Sequence, residues 1–161
     1  MTEETIAKIR RYNSNIEAGG KGVIAFGIWT VIKTFITIIL DSGFVQDSIR
    51  DVAPEYSDIY LQGTIVVIIS VCIMILILNS YVGLCAIRYG RGNRKNKRFV
   101  FWTVVLAVIY WVFVVSDLNN IAGFEFREIA ELMADLTLLF ILADILYSMH
   151  MARITVKKEQ S

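Results

Sequence analysis

Residues 27–41 read GIWTVIKTFITIILD. The stretch has the character of a membrane-crossing helix, and Lys33 stands in the middle of it. An unpaired ammonium group at the bilayer centre costs roughly 2.5 to 3.5 kcal/mol on insertion scales. The lysine must therefore be answered by another residue, drawn toward a headgroup layer, or put to use. The rest of the chain shows whether the span is real and what can answer the charge.

The 161 residues are 56% hydrophobic, with a mean hydropathy of +0.59, above what a soluble domain carries. The apolar residues gather into runs at 23–40, 65–78, 100–115 and 132–145. Extended with Thr, Ser, Gly, Tyr or Trp, each run approaches the ~20 residues needed to cross a hydrocarbon core about 30 Å thick. The predicted spans are about 23–41, 62–86, 99–116 and 130–151. The single proline, Pro54, falls between the first two and breaks neither. Continuous runs, rather than alternating segments of about ten residues, argue against a closed β-barrel. The first run is longer than a signal-peptide core and follows a polar segment, so it reads as a retained span. The fold class is an all-α integral membrane protein, a four-transmembrane-helix bundle over 23–153.

Lys and Arg set the orientation, because cytoplasmic segments carry the excess. Residues 1–22 hold Lys8, Arg10, Arg11 and Lys21, the tail 154–161 holds Lys157 and Lys158, and the loop RYGRGNRKNKR at 88–98 has six basic residues and no acid. The segment 41–60 has five acids against Arg50, and 116–131 has four against Arg127. Both termini and the basic loop are thus expected in the cytoplasm, with the acidic loops outside. The localisation expected is a plasma membrane of bacterial type, crossed several times. The formal net charge of +1 conceals this polarity. The basic loop is short, lacks interleaved aromatics, and is explained as a topology signal near anionic lipid, so no nucleic-acid partner is expected.

Residues 1–22 read as an interfacial amphipathic helix, with Thr2 as its cap and Gly19, Gly20 and Gly22 as a bend into the first span. Residues 44–52 have the spacing of a second short amphipathic helix. Tyr89 and Trp102 are placed as inner interface anchors, Tyr56 and Tyr60 as outer ones, and Trp111, deeper in its span, as a packing residue. The chain also divides into two parallel helical hairpins. WTV at 29–31 matches WTV at 102–104, and an offset of 65 pairs Asn79 with Asp144. The two matches need different offsets, so the repeat signal is weak.

At 100° per residue, Thr30, Lys33, Thr34, Thr37 and Asp41 fall within one arc of the first helix. Counting the rise from the inner end of each span puts Lys33 and Asp144 at similar depth. The candidate intramembrane polar site is therefore Lys33 paired with Asp144, supported by Asn79 and Thr37. Such a pair is either a permanent lock between helices or a site where a proton, ion or charged substrate exchanges with the internal partner; snorkelling of Lys33 is the third outcome. Asp41, Asp117, Glu131 and Asp135 form a candidate outer acidic vestibule.

Cys72 and Cys85 lie on opposite faces of one helix and do not form C-x-x-C. His150 is the only histidine, and no metalloprotease, nucleophile-elbow, Walker or dinucleotide pattern occurs. No catalytic residue, metal or cofactor is expected, and an enzyme is unsupported. Beyond the lipid bilayer, the expected partner is another membrane protein or further copies of this chain. Two functions follow: a non-enzymatic subunit or accessory protein, and alternatively a small ion- or proton-coupled transporter or channel.

Overall fold

The computed structural model describes residues 2–40, 57–92, 98–119 and 126–160. The regular structure there is four helices: α1 (Glu3–Leu40), α2 (Ser57–Gly90), α3 (Arg98–Asn119) and α4 (Phe126–Gln160). Each is long and apolar enough to cross a membrane. The proposed helix at 44–52, Asp41 and Tyr56 lie outside the described residues.

All four helices are longer than the predicted spans, α1 and α4 most of all, and the reason is visible at α1. Thr2 caps it, its hydroxyl accepting the Thr5 N–H at 3.4 Å, and Glu3 and Glu4 occupy the first turn, where the helix dipole favours acids. The helix then continues without a break through Gly19, Gly20 and Gly22 to Leu40. The glycines are not a bend. They allow close approach: a Cβ at Gly20 would stand 2.7 Å from the Gly83 carbonyl oxygen, one at Gly83 would stand 2.6 Å from the Gly20 carbonyl oxygen, and one at Gly27 would stand 2.6 Å from the Asn79 Cβ. Further along, a Cβ at Gly90 would meet the Asn13 carbonyl oxygen at 2.6 Å. Gly20 and Gly27, like Gly83 and Gly90, are seven residues apart, two turns on one face. The α1–α2 seam is thus a backbone-to-backbone contact of the kind small residues permit between apolar helices.

These contacts fix the register. Gly27 lies opposite Asn79, and Gly20 opposite 83–87. On another side of α1, Gly19 meets Ile145 and Gly22 meets Ile141 of α4. Asn79 meets Tyr110 of α3, and Tyr89 stacks on Phe99 with ring centroids 5.6 Å apart. Consecutive helices therefore run in opposite directions. α1 is covered by α2 and α4, and α3 rests mainly on α4 and only lightly on α2. The matches read as a sequence repeat lie at different depths: by this register Trp29 is level with Trp111, not with Trp102.

The contiguous core gathers Ile16, Val23, Val82, Tyr89, Phe99, Leu106, Leu138, Leu142, Ile145 and Met149, all essentially without exposure. Tyr89 is consequently a core side chain and not a lipid anchor. Trp111 is corrected in the opposite sense, being 57% exposed. Beyond the ends of α2 and α3, α1 and α4 continue alongside each other for about thirteen residues, or about 20 Å at 1.5 Å per residue. Residues 3–22 and 154–160 are thereby helix ends on the basic side of the bundle.

The seam gives a sign-resolved test. Gly83→Ala forces a Cβ onto backbone and is expected to lower stability by about 1 to 3 kcal/mol. Gly63→Ala meets nothing within 4 Å and is expected to gain up to about 1 kcal/mol through helix propensity. Thermal unfolding of the purified protein in detergent reads both.

Candidate functional site

Six hydroxyl groups on these helices are satisfied within their own helix, while the buried Ser148 hydroxyl has no hydrogen-bond partner. Thr30, Thr34, Ser70, Thr103, Thr137 and Thr155 each donate to the carbonyl four residues back, at 2.7–2.9 Å. This is how Ser and Thr are accommodated in apolar helices. The threonine stripe of α1 is therefore not by itself a wet face. Of the polar residues on α2, Asn79 and Cys72 are buried and Ser70 is exposed, matching the face assigned from the helical wheel.

Asn79 is the exception that needs partners from other helices. It is fully buried, and its Nδ2 donates to the Ile75 carbonyl at 2.9 Å and to the Tyr110 hydroxyl at 3.3 Å. Because a carbonyl can only accept, the amide orientation is fixed, and Oδ1 is left buried with no hydrogen-bond partner. A buried polar atom in that state costs about 1–3 kcal/mol. Gly27 is the residue that lets α1 approach this side chain. The Tyr110 ring is buried, and its hydroxyl also has Thr30 beside it and the field of Asp135 acting on it. One layer across the bundle thus contains Thr30 of α1, Asn79 of α2, Tyr110 of α3 and Asp135 of α4.

Apart from Tyr110, which belongs to the layer itself, the contiguous core lies on the basic side of this layer. On the acidic side the buried side chains among the described residues are Cys72, Ile75 and Val114. The layer is a polar roof over a packed apolar half.

Lys33 and Asp144 are not brought together. Since Gly19 meets Ile145, Asp144 lies level with residues 19–20 of α1, and Lys33 is about thirteen residues farther along, about 20 Å. Both are half-buried. Lys33 does make a polar or electrostatic contact, and no ion pair joins it to Asp144 among the described residues. Counting from the inner end of each span misjudged the depth because α1 continues about twenty residues past its span on the basic side and α4 only about nine, so those two ends are not level. Asp135 also turns toward the bundle axis, sharing the face of Leu138 and Leu142, whereas Asp144 lies on the flank. Thr37, Asp117 and Glu131 belong to α1, α3 and α4, and their side chains lie outside what the structure describes. Asp41 lies outside the described residues.

Sequence reasoning missed Tyr110 as the partner of Asn79. The signal was available in the seven-residue spacing of Thr103 and Tyr110, both buried. At the basic end, Glu17 binds Lys21 at 3.0 Å and, across helices, Arg91 at 3.1 Å. Lys21 and then Arg91 hold the Glu17 carboxyl below the usual carboxylate range. A groove of about 370 Å³ adjoins it, lined by Ile6, Ile9, Arg10, Asn13, Ser14 and Gly90.

No protein family, curated protein or solved structure matches the chain.

Two measurements follow. Tyr110→Phe, Asn79→Ala and the double variant form a cycle whose coupling energy is expected to be near 0.6 kcal/mol and below about 1.7 kcal/mol, the range for hydrogen bonds between membrane helices. A depressed folded-state pKa stabilises above the unfolded value and loses its effect as pH falls through the folded one. The Arg91–Glu17 tie is therefore expected to hold at neutral pH and release only below the ordinary carboxylate range. Amide-exchange protection of the last turn of α2 should fall there, and Glu17→Gln should remove the pH dependence.

Proposed function

We propose that the chain is a multi-pass plasma-membrane protein of bacterial type, with both termini cytoplasmic, and that it acts as a non-enzymatic subunit or accessory of a membrane partner. The observation that carries this reading is the filled basic half of the bundle. Tyr89, Phe99, Leu106, Leu138, Leu142 and Ile145 are packed there with at most 3% exposure, so toward the basic end the polar layer meets mainly apolar side chains, Thr103 and Ser148 being the buried polar ones among the described residues. What such a molecule offers is its outside. Trp29 and Trp111, level with each other at mid-span, are 53% and 57% exposed. Tryptophan ordinarily concentrates at membrane interfaces, and at mid-span its broad ring suits contact with another helix.

Orientation follows from the charges. The ends of the helices that carry Lys8, Arg10, Arg11, Arg88, Arg91, Arg153, Lys157 and Lys158 coincide, which is the arrangement the positive-inside rule requires. Purification from native membranes in mild detergent should recover a stoichiometric partner. Trp29→Ala with Trp111→Ala should lower that recovery while changing thermal stability by no more than about 0.5 kcal/mol, as for surface substitutions. Recovery of the protein alone in repeated preparations would count against the reading.

A second reading, a small ion- or proton-coupled transporter or channel, draws on the partnerless Asn79 Oδ1 and on Asp135 in the same layer. The site would then be this layer and not Lys33 with Asp144. Reconstituted vesicles should show a proton or cation flux that Asn79→Leu and Asp135→Asn abolish; a flux indifferent to both would remove this reading.

A further inference from the structure

We infer that the counter-charge of Lys33 is carried by Asp135 of α4, and that this ammonium is the resident cation on the acidic side of the polar layer. The inference rests on register and face, and it goes beyond the partner reading. On α1, Gly19 and Gly22 are the positions in contact with α4, against Ile145 and Ile141. Lys33 is eleven residues beyond Gly22, three turns at 3.6 residues per turn, and so returns to that α4-facing side. Eleven residues back from Ile141 on the antiparallel α4 is residue 130. Lys33 therefore stands opposite the stretch Ala130–Glu131, with Ala134 one turn below. The alanines leave room for a long side chain at that contact.

Side-chain direction closes the remaining gap. Helical side chains lean toward the N-terminus of their own helix. For Lys33 that direction is toward the polar layer; for Asp135 of the antiparallel α4 it is toward the acidic end. The two groups thus lean toward one another between the levels of 131 and 135. Asp135 is half-buried, lies on the core face of α4, and acts on Tyr110. Both Lys33 and Asp135 are engaged in polar or electrostatic contacts. A charge pair here would sit above the packed core and neutralise Asp135. A free cation would reach that carboxylate only by displacing a tethered one.

The test uses the full-length chain in native membranes with Cys72 and Cys85 replaced by Ala. Lys33→Cys is combined in turn with Glu131→Cys, Asp135→Cys and Asp144→Cys, and disulfide formation is driven by a mild oxidant. Cross-linking several-fold greater with 131 or 135 than with 144 is expected; equal or greater cross-linking with 144, or none with 131 and 135, would overturn the inference. A charge exchange supplies the second arm, because a cross-link reports proximity and not pairing. Lys33→Glu should lower the unfolding temperature in detergent, and adding Asp135→Lys should restore at least half of the loss. If the exchange leaves the double variant as unstable as the sum of its singles, the charges do not pair.

Discussion

The contact on which the rest of this molecule depends is the approach of the α1 backbone to the α2 backbone at Gly20 and Gly83. Lipid chains are as apolar as leucine, so helices inside a bilayer gain little from hiding apolar surface and associate through close packing and polar contacts. Two opposed glycines bring main chains within reach of each other, and each occupies the space that a side chain of the other would need. That mutual exclusion makes the register discrete, because a slip of one turn would present Ile24 or Ile87 where no side chain fits. Once α1 and α2 are set, Gly27 is carried to Asn79, Gly90 to the Asn13–Glu17 turn, and Gly19 and Gly22 to the α4 face. A single seam thereby determines what lies at every depth of the bundle.

The polar layer is a consequence of that register. Asn79 can be buried at the helix crossing only because the residue facing it has no side chain. Once buried, it must donate both amide hydrogens, one to its own helix and one to Tyr110. The Tyr110 contact is one of the few ties between α2 and α3, which otherwise touch lightly, so a polar group does there what packing does elsewhere. The cost is an Oδ1 with no donor among the described residues. Nearby Thr30 already donates to its own backbone, and Asp135 is an acceptor when ionised. The layer is thus rich in acceptors, which is the chemical setting in which an ammonium group from one of the packed helices is most useful.

Much of the architecture was legible in the sequence, and the errors share one cause. The four apolar runs, the inward face of Asn79 and Cys72, and the cap at Thr2 all follow from local rules: hydropathy, the helical period and capping chemistry. Depth does not. Placing Lys33 beside Asp144 required knowing where each helix starts relative to its neighbours, and apolar runs mark the membrane-compatible part of a helix without marking its ends. α1 begins at Glu3, twenty residues ahead of the apolar run that starts at Val23, and α4 continues to Gln160. The glycines at 19, 20 and 22 were legible as special but were read by their conformational freedom, when what matters is the missing Cβ. Trp111 was assigned inward on depth alone, although Val114 and Tyr110 mark the buried side of α3 and put residue 111 about 100° from Tyr110.

The distribution of packing along the bundle bears on how the molecule acts. Apart from Tyr110, every member of the contiguous core lies on the basic side of the polar layer, and on that side α1 and α4 extend past the ends of the other two helices. Access through the basic half would therefore run against a filled core. A transporter requires alternating access, with a site that opens to each side in turn. Here an opening toward the basic side would have to dismantle the packing of Phe99, Leu106, Leu142 and Ile145 together, which weighs against a conduit through the bundle and agrees with the subunit reading proposed above.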